Sequence, residues 1–180
     1  IYVYTFIFNL DPVLNGLAML LAKVLMAVTS PIVGFISDRR PLISKLGARR
    51  SYIFIGGICL IISFSLIYVP FSFIDISDQL ALFVYEAFFT GIFNISYNFV
   101  ATPYQAMLPE ISEPEERSEI SIYENLFNGV GGGIGTVLSF LLPLIAENYN
   151  LFIVLINSFS ALSALIFGLL VLFIKEGRRI

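Results

Sequence analysis

Residues 31–58 read PIVGFISDRRPLISKLGARRSYIFIGGI, and five of the chain's ten Lys and Arg fall inside this stretch, at Arg39, Arg40, Lys45, Arg49 and Arg50. Apolar runs close in on the basic cluster from both sides. The pattern is that of a short loop between two membrane-crossing helices. Basic loops are retained on the cytoplasmic side during insertion, so this loop faces the cytosol and sets the direction of every other span.

Composition agrees with a bilayer rather than a soluble core. Hydrophobic residues make up 58% of the 180 positions and charged residues 13%, against about 45–50% apolar in ordinary globular domains. The mean hydropathy is +0.91. At roughly 20 apolar residues per crossing, the chain has room for about five or six spans with short connections. The net charge of -3 says little about partners, because the charges are segregated by side, and no nucleic-acid surface emerges. Cys59 is the single cysteine and His is absent, which excludes an intramolecular disulfide and removes the commonest metal ligand. No metal, cofactor or enzymatic centre is expected. The first residue is Ile, and no basic segment with a small-residue cleavage site precedes the apolar residues. The expectation is a piece of a longer protein that lacks the start of its first helix.

Taken in order, residues 1–10 are the outer end of a first span, and Asp11-Pro12 supplies a turn and a helix start. The second span is expected at 13–37, with Asn15, Lys23, Ser30 and Gly34 near one face. The third, 51–73, has no charge and is expected to face lipid. Asp75 and Asp78 follow in a loop without Lys or Arg, as suits an external position. The fourth span, 79–108, carries Glu86, Thr90, Asn94, Tyr97 and Tyr104 at steps that lay a polar stripe along one helix face. Pro103 is expected to weaken its inner end. An acidic inner loop, 109–118, leads to a fifth span at 119–146 with Glu124, Asn125, Asn128 and the run NGVGGGIG. After a short outer loop the sixth span, 151–174, ends in KEGRR. Nine of the ten Lys and Arg lie in the three segments this topology places in the cytosol: 38–50, 109–118 and the C-terminus. The tenth is Lys23.

Ionisable groups inside spans are costly unless they face a bundle interior or an aqueous cavity. Lys23, Glu86 and Glu124 are the three. Counting residues from the outer helix ends predicts a Lys23–Glu86 pair, with Glu124 separate and nearer the cytosol; an ion pair that merely locks helices is the bland alternative. Asn94, Tyr97, Asn98, Tyr104, Gln105 and Asn125 offer amides and phenols for a polar organic solute, although such groups also serve as interhelical hydrogen bonds. The glycines at 129, 131, 132, 133 and 135 follow no strand and sit within a span, so close helix packing explains them better than a nucleotide loop.

Gly34, Asp38, Arg39, Gly47, Arg49 and Arg50 resemble the G-x-x-x-D-R…G-x-R-R signature between the second and third spans of major facilitator superfamily transporters. SPIVGFISDR before the loop and PYQAMLPEISEPEERSEIS at 103–121 resemble the glycoside-pentoside-hexuronide:cation symporter branch, the melibiose-permease-like group. The resemblance implies an all-α membrane protein, the six-helix N-terminal half of that fold over residues 1–180 with its first helix truncated. It also implies alternating access, a solute partner, and a C-terminal six-helix half or a second copy to complete the site. The loop residues would then form a conformational latch, Asp38 bonding Arg49 or Arg50 in one state; a solvated loop on anionic headgroups is the alternative. The branch's second-span carboxylates fall here on Met26 and Ser30 and its fourth-span Asp on Ala101. Its fifth-span sugar-binding Arg falls on Asn125, and an aromatic on Gln105. Sodium coupling through the usual site is therefore not expected; proton coupling through Glu86 or Glu124, or none, takes its place. A scaffold or sensor derived from a transporter is the rival reading.

Overall fold

The computed structural model describes residues 3–43, 46–69, 73–146 and 148–173. A π-helical turn, Val3–Ile7, is followed by five α-helices: α1 Pro12–Arg39, α2 Ala48–Ile67, α3 Gln79–Ile111, α4 Arg117–Ala146 and α5 Tyr149–Phe173. Four of them, α1, α2, α3 and α5, contain segments long and apolar enough to cross a bilayer. α4 is as long, and its average apolar character equals that of α1. The chain is a multi-pass helical membrane protein.

The N-terminal ends of α1 and α3 are tied together by short-range chemistry. Asn9 takes a positive φ of 57° and reverses the chain. Asp11 then caps α1, its carboxylate accepting from the Val13 and Leu14 amides, with Pro12 in the first turn. Asp78 caps α3 in the same manner through Leu80 and Ala81. Gln79 joins the two starts: its amide donates to the Asn9 carbonyl at 3.0 Å and its Oε1 accepts from the Asp11 N–H at 2.9 Å. Thus Asp75 and Asp78, read as marks of an outer loop, also have local work. Asp75 closes a turn onto Ser77 while Asp78 starts a helix.

α3 is the central element, packed between α1 and α2; α2 also packs on α5, and α4 leans on α5. Burial along α1 follows Asn15, Ala18, Ala22, Val33 and Ser37, leaving Leu17, Leu20, Leu21, Val24, Val28, Ile32 and Phe35 exposed as an apolar face suited to acyl chains. The expectation of a lipid-facing third span needs correction. α2 buries Ser51, Tyr52, Ile53, Gly56, Gly57 and Ser63 between α3 and α5 and exposes only a strip through Phe54, Ile58 and Ile62. Absence of charge reflected burial between helices as much as contact with lipid. The helix also ends at Ile67 rather than near 73, as suits the residues just before Pro70, where helical geometry is disfavoured. Conversely, α3 continues through Pro103 and Pro109 to Ile111. Each proline removes one backbone donor, but packing keeps the helix going.

Small residues decide how closely α2 approaches α3. A Cβ at Gly56 would lie 2.6 Å from the Phe99 Cβ and 3.1 Å from the Ser96 carbonyl oxygen. Gly56→Ala is expected to lower the melting temperature despite alanine's better helix propensity, by an amount equivalent to about 1–3 kcal/mol of overpacking. A melting curve of the full-length protein in detergent checks this; an unchanged or raised midpoint contradicts it. The glycine run of α4 behaves otherwise. Nothing lies within 4 Å of a Cβ built at Gly129, Gly131, Gly132, Gly133 or Gly135, so the expected close packing is not made by the described helices. α4 is exposed over most of its length.

Candidate functional site

The predicted polar residues separate into three places. The first is the loop end of the bundle. Asp38 ends α1 and accepts from Arg49 at the start of α2, with Nε at 2.9 Å and Nη2 at 2.8 Å from the same carboxylate oxygen. Arg49 also donates through Nη1 to the Ala106 carbonyl of α3 at 3.0 Å. One guanidinium therefore fastens three helices, and it is 7% exposed. The glycines of the motif have separate physical reasons. A Cβ at Gly34 would lie 3.4 Å from the Thr102 methyl, at the close edge of ordinary contact, and Gly47 holds φ 90° and ψ 175°, a conformation suited to glycine, at the turn into α2. Arg39 lies over the Phe35 ring at 3.8 Å. Lys45 falls outside the described residues, as do Lys175, Arg178 and Arg179.

The second place is the seam between α1 and α3. Asn98 donates to the Met26 carbonyl at 2.7 Å and to Thr29 Oγ1 at 2.8 Å, while Thr29 donates to the Leu25 carbonyl. Asn94 donates within its own helix to Thr90 and accepts from Lys23 at 3.4 Å. The predicted Lys23–Glu86 pair is therefore replaced by Lys23 and Asn94. Leu25 packs on Gly91 and Met26 on Asn98, so Lys23 meets α3 more than a turn inward of Glu86. Residue counting gave depth but not rotation. Glu86 is fully buried, both carboxylate oxygens lack a hydrogen-bond partner among the described residues, and Tyr4 lies within its electrostatic range.

The third place is a cavity of about 520 Å³ between α3 and α4, floored by Ile53 of α2. α3 contributes Tyr97, Tyr104 and Gln105; α4 contributes Tyr123, Glu124, Phe127 and Asn128. Four predicted residues thus share one space, and Glu124 lies within electrostatic range of Tyr104. Asn94 and Asn98 face α1 instead, as interhelical hydrogen bonds. Asn125 also departs from the expected cluster. Its amide donates to the Ser121 carbonyl at 2.9 Å on the exposed side of α4. Tyr123, Phe127 and Asn128 were missed as site residues. Their signal was available: with Glu124 they recur at helical spacing along one α4 face. The cavity sits at the latch end, for Ala106, held by Arg49, directly follows Gln105. Among the described residues no group of His, Cys, Asp and Glu is placed to hold a metal ion.

A membrane bundle whose loop clamps three helices beside a polar cavity agrees with the signature that the sequence carries. Residues 2–180 match the family described as MFS/sugar transport protein. The chain belongs to that family. It is 29% identical to an uncharacterized symporter of Synechocystis over 79% of this chain and 26% of the relative. It is 28% identical to the uncharacterized symporter YjmB of Bacillus subtilis, over 82% of this chain and 31% of the relative. With YagG of Escherichia coli, named as a candidate glycoside/cation symporter, identity is 29% over 81% of this chain and 30% of that protein. The chain therefore spans between a quarter and a third of the length of these relatives. No solved structure matches it significantly.

Proposed function

We propose that this chain is the N-terminal part of a secondary transporter that moves a small polar organic solute of sugar size by alternating access. The observation that carries the reading is the α3–α4 cavity, which gathers phenols, amides and one carboxylate next to the Arg49 clamp. The family match and the symporter names of the relatives support it. A C-terminal six-helix half, or a second copy, closes the other side of the solute path and covers the open face of α4. Loops 38–50 and 109–118 and the C-terminus face the cytosol across the plasma membrane, following the placement of Lys and Arg. Coupling is to protons through Glu86, whose buried carboxyl has no hydrogen-bond partner among the described residues and needs a proton or another cation to balance its charge when the path closes.

The test is uptake by the full-length protein in lipid vesicles over a panel of sugars, peptides and organic acids. Concentrative, saturable uptake of one class is the expected result. A flat response over the whole panel favours the second reading, a non-transporting membrane scaffold or sensor, for which the uncharged Met26, Ser30 and Ala101 at the branch's carboxylate positions speak.

A further inference from the structure

The cavity between α3 and α4 has an electrostatic character that the family match does not carry. Its lining holds one charged side chain, Glu124, and no Lys or Arg. Glu124 has neither an ion-pair nor a hydrogen-bond partner among the described residues. Around it stand three phenol rings, Tyr97, Tyr104 and Tyr123, with Phe127 and the amides of Gln105 and Asn128.

No described Lys or Arg lines the cavity, and several of those nearest to it are engaged elsewhere. Arg49 is held by Asp38 and the Ala106 carbonyl, and Arg117 donates to the Pro109 carbonyl at 2.9 Å. Lys23 reaches Asn94 on the α1 side of α3. None of them lines the cavity to neutralise Glu124 or to receive an anionic solute. Nor does Asn125 supply a positive group, and its amide is turned onto Ser121.

We propose that this cavity selects a solute that carries an organic cation, a protonated amine or a quaternary ammonium, beside its hydroxyl groups. The ammonium lies against Glu124 and over the tyrosine faces, where the negative face of each ring attracts it. The hydroxyls are taken by Gln105, Asn128 and the phenolic oxygens. A carboxylated solute meets Glu124 with like charge and is rejected, while a neutral sugar finds the hydrogen bonds but leaves the carboxylate unmatched. This inference rests on the reading of the cavity as the solute site.

Three sugars on one ring isolate the charge: glucosamine, glucose and glucuronate, at a pH where the amine is protonated and the acid ionised. Binding to the purified full-length protein is followed by calorimetry. Glucosamine is expected to bind at least about tenfold more tightly than glucose, with glucuronate weakest. Glu124→Gln is expected to remove that preference by bringing glucosamine down to the affinity of glucose, with an unchanged melting temperature showing that the variant remains folded. Tyr123→Leu is expected to weaken glucosamine more than glucose. Glucose or glucuronate binding as tightly as glucosamine overturns the proposal, as does a preference that survives in Glu124→Gln or no binding of glucosamine at all. Saturable glucose uptake without charge preference ends this inference and leaves the transporter reading standing. Uptake of no panel solute ends the transporter reading itself.

Discussion

Arg49→Ala is expected to cut the initial uptake rate of the full-length transporter by about tenfold or more and to lower its melting temperature. The side chain is almost wholly buried and makes two bonds to Asp38 and one to the Ala106 carbonyl, so its loss releases α1, α2 and α3 from one another. A hydrogen bond involving a charged group contributes about 1.5–3 kcal/mol. Because the Asp38 side chain is 49% exposed, solvent screens that part of the contact and the lower end of the range applies to it. A conformational equilibrium shifted by about 2 kcal/mol changes state populations roughly thirtyfold, enough to slow a cycle that must visit both states. Arg49→Lys keeps the charge but cannot span Asp38 and Ala106 together, so it should recover only part of the rate. Combining Asp38→Ala with Arg49→Ala gives the coupling; the pair should be far from additive. Additive effects, or an Arg49→Ala variant transporting at the original rate, would show that the loop is merely a solvated basic patch.

The elements of this fold were legible because membrane helices leave strong marks: long apolar runs, a basic loop, and Asp-Pro at a helix start. Helix starts are set by local capping, at Asp11 and Asp78. Tertiary packing overrides propensity in α3, which carries two prolines through to Ile111. Which faces meet was much less visible. Steps of four through Glu86, Thr90 and Asn94 drew a stripe correctly, yet nothing in the stripe told that Asn94 turns to Lys23 while Glu86 stays beside Tyr4. Pairing across helices depends on their relative rotation, which one sequence does not encode locally. The Asp38–Arg49 contact was readable as residue types, Asp and Arg around a glycine, but its third member was not. A backbone carbonyl such as that of Ala106 has no side-chain signature.

Glu86→Gln is expected to abolish accumulation driven by a proton gradient while solute exchange between the two sides continues. The carboxyl is at 0% exposure with neither oxygen hydrogen-bonded among the described residues, a costly placement for an acid. If one proton travels with each solute, a gradient of about one pH unit is worth about 1.4 kcal/mol and supports about tenfold accumulation. The amide in Glu86→Gln has nearly the same shape but carries no exchangeable charge, so accumulation should fall to about the level of the bath. Glu86→Leu separates function from folding. Replacing an unpartnered buried polar group by an apolar one should raise the melting temperature, by the equivalent of about 1–3 kcal/mol, while coupling is lost. If Glu86→Gln still accumulates solute against its gradient, the proton travels elsewhere. If Glu86→Leu instead melts earlier, the carboxyl is a structural partner in the complete protein, and Glu124, the other intramembrane acid, takes its place as the candidate for coupling.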